Sequence, residues 1–142
     1  MVSGNEPGAL VLALHRATHA TLAALQARLA DLDLTASEIN ALANLADGRP
    51  RSIGELAADT ATKPTTLTSV LDRLVRHRYV VRQLDPADRR SFLVSLTSDG
   101  RPVADTARAA MRDIERAALA MVTGTDLAGF HSITRALTEA SR

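Results

Sequence analysis

Residues 80–97 read VVRQLDPADRRSFLVSLT, and this stretch decides the fold. Val80, Arg82 and Leu84 alternate with Val81 and Gln83, and Phe92, Val94 and Leu96 alternate with Ser91, Leu93 and Ser95. A period of two is that of a strand with one apolar face, so two strands are predicted. Between them Asp85-Pro86-Ala87-Asp88 is a turn with a mechanism, because Pro fixes its backbone angle and Asp carboxylates bond nearby amides. The product is an antiparallel hairpin with Arg89 and Arg90 at its tip.

Upstream of this hairpin the period is helical. Leu67, Val70, Leu71 and Leu74 form one stripe, which predicts a helix capped by Thr62, with Pro64 in the first turn where amides have no intrahelical partner. Ser52-Ile53-Gly54-Glu55 is a capping box that opens a shorter helix with Ile53, Leu56 and Ala57 inward, ending around Asp59 to Ala61. Thr35-Ala36-Ser37-Glu38 is another, stapled by Leu34 and Ile39, and its helix ends near Asp47-Gly48 with Pro50 beyond.

Further out, Leu10, Leu14, Thr18, Leu22, Leu25, Leu29 and Leu32 recur at steps of three and four, predicting a long first helix from Gly8 to Ala30. Met1 to Gly8 read as a frayed tail. After Thr97, Val103, Ala107, Ala110, Ile114, Ala117 and Met121 predict another long helix. Gly124-Thr125 is expected to break it before a last helix carrying Leu127, Phe130, Ile133 and Leu137. The predicted fold class is mainly α with a small antiparallel β hairpin, in the order four helices, hairpin, two helices.

Composition narrows the chemistry. The chain has 142 residues, 46% of them hydrophobic but only 2% aromatic, so Leu, Val, Ile and Ala must fill the core. The absence of Cys removes disulfides, thiolate nucleophiles, Cys-ligated metals and thiol redox switches. No secretory leader and no long apolar run are present, which sets the expectation of a cytoplasmic protein without a membrane span. No HExxH pair, P-loop or dinucleotide glycine fingerprint occurs, so an enzyme is not expected and no cofactor is implied.

Charge is unevenly placed. From Lys63 to Arg90 seven Lys and Arg face three Asp, a net of four positive charges in a chain whose total is +1. A basic segment inside an acidic remainder suits a polyanion, although an ordinary solvated face would have the same composition. A short helix, a tight turn, a longer helix and a basic hairpin together form a winged helix-turn-helix, a device for gripping duplex DNA. Its second helix offers Thr62, Lys63, Pro64, Thr65, Thr66, Thr68 and Ser69 in its N-terminal half. Short hydroxyls and Thr methyls suit base edges, and free first-turn amides suit phosphate; Thr62 and Thr65 also have a purely capping explanation. Arg73 is expected to meet a phosphate or to pair with Asp72. At the hairpin tip, Asp85 and Asp88 flank Arg89 and Arg90, an arrangement that pre-aims an arginine toward a narrow minor groove.

Asp85-Pro86-Ala87-Asp88-Arg89-Arg90-Ser91 followed by Leu93-Val94-Ser95-Leu96-Thr97 resembles the wing of the multiple-antibiotic-resistance regulator (MarR) family. Leu34-Thr35, Ile53-Gly54-Glu55-Leu56-Ala57 and Leu71-Asp72-Arg73-Leu74-Val75 resemble the family too. The resemblance implies one domain over residues 1–142, with a winged lobe over 35–97 and a helical dimerisation region over 8–31 and 98–140. It implies a transcriptional regulator, by habit a repressor, that binds double-stranded DNA as a homodimer on a pseudo-palindromic operator with half-sites ~10 bp apart. Arg90 takes the place of the family's minor-groove arginine, Asp88 its orienting partner and Arg89 a phosphate contact.

The resemblance also implies release from DNA by a small aromatic or anionic effector in a crevice beside the dimer region. His15, Arg16 and His19 cluster on the first helix and are the candidate ligand-binding residues. A metal site is not expected, since further ligands are lacking. Two other readings stay open, a winged module that docks a protein and a DNA-binding regulator without an effector.

Overall fold

A computed structural model describes residues 6–142. Helix α1 runs Ala9–Arg28, followed by a single 3-10 turn at Ala30–Leu32. Then come α2 (Ala36–Leu45), β1 (Arg51–Ser52), α3 (Ile53–Asp59), α4 (Pro64–Arg76), β2 (Val80–Leu84), β3 (Phe92–Leu96), α5 (Gly100–Leu119) and α6 (Gly124–Ala140). The hairpin has the predicted bounds, with Val80 opposite Leu96, Arg82 opposite Val94 and Leu84 opposite Phe92. Strand β1 was not expected. It pairs antiparallel with β3, Arg51 opposite Val94, and completes a sheet of order β1-β3-β2.

Both predicted capping boxes form. The Glu38 amide donates to Thr35 Oγ1 at 3.3 Å and the Thr35 amide to Glu38 Oε2 at 3.0 Å. At α3 the Glu55 amide donates to Ser52 Oγ at 3.1 Å and the Ser52 amide to Glu55 Oε2 at 2.8 Å. A third box, Thr123 with Asp126, starts α6. The chain therefore breaks over Ala120 to Thr123, not at Gly124-Thr125, and Gly124 is the first helical residue.

Thr62 is not the cap of α4. That place falls to Lys63, which makes no side-chain cap bond. The reason lies in how α3 ends: the Thr62 amide donates to the Ala57 carbonyl at 2.9 Å and the Ala61 amide to Ala58 at 3.2 Å, closing a Schellman turn. Ala61 takes the left-handed conformation, φ 52°, that such a turn demands. The Thr62 hydroxyl donates back to the Thr60 carbonyl instead of forward into α4. The same motif ends α4, where Arg78 sits at φ 64° while Tyr79 and Arg78 donate to Leu74 and Val75.

The chain divides into two units, one through Met111 and one of Arg112–Arg142. The core of the first is Leu42, Leu45, Leu56, Leu67, Leu71, Leu74 and Val94, every one of them fully buried. Helix α5 closes it with Ala104, and Gly100 lets α5 start against β2: a Cβ there would lie 1.9 Å from the Tyr79 carbonyl oxygen. The first helix buries only Leu25, with Leu29 just beyond it, while Leu10, Val11 and Leu12 are exposed. In the second unit α6 buries no residue.

Candidate nucleic-acid interface

The stripe Leu67, Val70, Leu71 and Leu74 turns one side of α4 into the core. With a rotation of ~100° per residue, Thr65, Ser69 and Arg76 fall on the outward line, and all three are exposed. Arg76 is a surface cation that the sequence reading passed over, although its spacing of seven from Ser69 gave the signal. Lys63, Pro64 and Thr66 are exposed around the helix start. Free amides of the first turn face outward there, since Leu67 is the first α4 residue to bond back, to Lys63.

Two expected contact residues are engaged within the fold. The Thr68 hydroxyl donates to the Pro64 carbonyl at 2.9 Å, so its proton is committed to its own helix. Arg73 does not pair with Asp72. Its Nε donates to Glu38 Oε1 at 2.5 Å, and Glu38 is 2% exposed. Asp72 instead accepts from Arg82 Nη2 at 2.5 Å, a strand residue that also reaches the Thr68 carbonyl at 3.4 Å. Adjacent residues on a helix point to different neighbours, so Asp72 meets the hairpin and Arg73 meets α2.

At the wing tip both aspartates shape backbone. Asp85 Oδ1 accepts from the Ala87 amide at 2.9 Å and Asp88 Oδ1 from the Arg90 amide at 3.0 Å. The loop is closed by Asp85 donating to the Ser91 carbonyl and Ser91 to the Asp88 carbonyl, each at 3.0 Å. Asp88 thus places Arg90 through its amide and not through its guanidinium, which corrects the expected side-chain pairing. Among the described residues no carboxylate bridges Arg89 or Arg90, and both are exposed. Their cationic heads are left for an external anion.

His15, Arg16 and His19 lie exposed on α1 and are not among the residues that line the cavity further along that helix. A cavity of about 300 Å³ opens further along α1, between Leu22, Leu25 and Gln26, the start of α2 at Ala36, Ser37, Ile39 and Asn40, and Met111. Asn40 is occupied, donating to the Thr60 carbonyl and accepting from Asn44. Gln26 and Ser37 remain as its polar groups. Sequence periodicity could not have shown this, because three separate elements make the wall. Among the described residues no cluster of three or more His, Cys, Asp or Glu could hold a metal ion.

The model of the MarR family matches residues 32–91, from the approach to α2 to the wing tip. The HTH-type transcriptional repressor NicR of Pseudomonas putida is 33% identical over 92 residues, 65% of this chain; the matched part of the chain spans 58% of NicR. Among solved structures, Bordetella bronchiseptica BpsR, whose DNA binding is regulated by 6-hydroxynicotinic acid, is 26% identical, with a TM-score of 0.75 over 97% of this chain and 96% of that one. A variant of Escherichia coli MarR in complex with operator DNA shares the fold at 24% identity and TM-score 0.74, over 90% and 92% of the two chains. With the helical order and the wing in their expected places, residues 32–91 match the MarR family, and the fold of the whole chain is similar to that of solved MarR-family regulators.

Proposed function

We propose that this chain is a transcriptional repressor that binds double-stranded DNA as a homodimer. The observation that carries the reading is the wing tip, where Arg89 and Arg90 stand exposed, with no carboxylate partner among the described residues, beside a helix whose outward line is Thr65, Ser69 and Arg76. A helix of that kind enters the major groove, where hydroxyls read base edges, and Arg90 enters the adjacent minor groove. Lys63, Arg89 and the free α4 amides bind phosphate. Thr62, Pro64 and Thr66 shape and flank the approach; Thr68, Arg73 and Asp88 serve by holding the others in place.

The dimer follows from apolar surface. Leu10, Val11 and Leu12 of α1, and Leu127, Phe130 and Ile133 of α6, are all exposed, and patches of this kind mark association sites. On this reading the winged lobe and terminal helices form one functional domain over the whole chain. NicR is a repressor and BpsR responds to a pyridine carboxylic acid; the cavity at Leu22, Gln26, Ser37 and Met111 is where a small effector would sit here, in preference to His15, Arg16 and His19. No catalytic step is proposed. No described helix is long and apolar enough to cross a membrane, and a DNA-bound regulator of this family works in the bacterial cytoplasm.

Selection of bound duplexes from a random DNA pool tests the reading. The expected product is a pseudo-palindrome with half-sites ~10 bp apart and a steep salt dependence. Recovery of no enriched sequence would sink it and favour a protein-docking wing.

A further inference from the structure

Helix α4 is fastened on both flanks by neighbouring residues. On one side Arg73 reaches Glu38, whose second oxygen is held by the Thr35 amide at 3.0 Å, so this link ends in the buried start of α2. On the other side one guanidinium, Arg82, spans a full turn of α4 by donating to both Asp72 and the Thr68 carbonyl. Among the described residues these are the hydrogen bonds that join a side chain of the hairpin strands to α4. Arg82 Nε is buried without a partner, a costly arrangement that plain solubility would not require. Beyond Arg82 the hairpin leaves the core: Val80 and Val94 are fully packed, whereas Leu84 and Phe92 are about half exposed. Arg82 therefore sits where the hairpin begins to leave the lobe, one register step before the last pair with β1, Ser52 with Leu93.

We propose that Arg82 and Asp72 are positioning residues that set the distance between α4 and the wing, and so govern sequence selectivity more than bulk affinity. The inference rests on the DNA reading above. Phosphate attraction is long-ranged and tolerates misplacement, while base-edge hydrogen bonds do not. A wing freed from α4 would still find phosphates, but Thr65, Ser69 and Arg90 would no longer meet their base edges and groove together.

The test uses the full chain, with a selected duplex and a scrambled duplex of equal length, for Arg82→Gln, Asp72→Asn and the double variant, each checked by thermal melting. The two single changes alter charge in opposite directions. A positioning pair nevertheless predicts the same outcome for both, a drop of roughly tenfold in the ratio of selected to scrambled affinity, with the double variant no worse than either single. Arg82→Lys, which keeps the charge but not the length and shape of the guanidinium that reaches both Asp72 and the Thr68 carbonyl, should fall between. If the Gln or Asn variants do not fold, Arg82→Lys and Asp72→Glu carry the test, with the same expectation of a reduced ratio. Two results would overturn the proposal. One is an unchanged ratio in every folded variant. The other is Arg82→Gln weakening both duplexes equally with a shallower salt slope while Asp72→Asn tightens both, which would make Arg82 a phosphate contact. A wild-type chain without preference for any duplex would remove the DNA reading itself, and this inference with it.

Discussion

In α4 the stripe Leu67, Val70, Leu71 and Leu74 is at most 2% exposed, whereas in α6 the stripe Leu127, Phe130 and Ile133 is 36 to 56% exposed. Both have the period of an amphipathic helix, and nothing in the spacing separates them. One stripe is covered by α2, α3 and the sheet of its own chain. The other has apolar area whose burial is worth roughly 25 cal/mol per Å² and no covering in its own unit. A helical stripe thus states that a face will be buried, not by which chain.

The largest expected effect lies in the covered stripe. Leu71→Ala should cost about 2–5 kcal/mol in urea unfolding, because Leu71 is fully buried and its neighbours belong to three elements that cannot all collapse inward. Phe130→Ala should behave differently. It is expected to leave the melting of the winged lobe almost unchanged and to weaken self-association by about 2 kcal/mol, roughly thirtyfold, as an aromatic anchor in an interface does. Sedimentation equilibrium measures it. A wild-type chain that stays monomeric would break the comparison, leaving the exposure of α6 without a reason.

A smaller effect of opposite sign is expected where the lobe holds strain. Ala61 and Arg78 occupy left-handed turns that glycine fills without a Cβ penalty. Arg78→Gly should stabilise the lobe by about 0.5–1 kcal/mol, the relief of the left-handed penalty less the added freedom of the unfolded chain. Ala61→Gly should move melting in the same direction, and since the unit through Met111 holds both turns, neither should change association. A loss of stability on either change would show that the turns are not strained.

These turns also mark where the sequence stopped being legible. The capping boxes at Thr35 and Ser52 and the hairpin register were readable because each is fixed by residues within a few positions of one another. Ala61 and Arg78 hid their turns because the residue that favours the conformation, glycine, is absent. Strand β1 is two residues long and has no period to detect. The partner of Arg73 lies 35 positions away in Glu38, and Asp72, its nearer and more obvious partner, is taken by Arg82 from across the sheet edge. In the candidate interface the exposed residues Thr65, Ser69, Arg89 and Arg90 were visible from type and spacing. Which of their neighbours merely hold them, as Thr68, Arg73 and Asp88 do, depends on contacts that only the folded chain makes.

The smallest effect separates the two units by acid. Asp47, at the turn between α2 and β1, has its carboxyl held far below the usual carboxylate range, first by the hydrogen-bonded Arg51 guanidinium at 2.8 Å and then by the Arg49 amide. Asp126, at the start of α6, is lowered by the Thr123 amide and hydroxyl. A depressed folded value means that each contribution is complete above the unfolded pKa, near ~4, and is lost as pH falls through the folded one. Acidification below about pH 4 should therefore loosen both units. Asp47→Asn should flatten the acid side of the lobe's melting curve, by no more than about 1 kcal/mol because Asp47 is 40% exposed and its ion pair is screened. Asp126→Asn should leave the lobe's curve as it was and change only the acid dependence of self-association, since its cap belongs to the helix with the exposed stripe. If both substitutions moved the same transition equally, the two units would melt as one cooperative body, and the contrast between a covered and an exposed stripe would have to be drawn within a single folding unit.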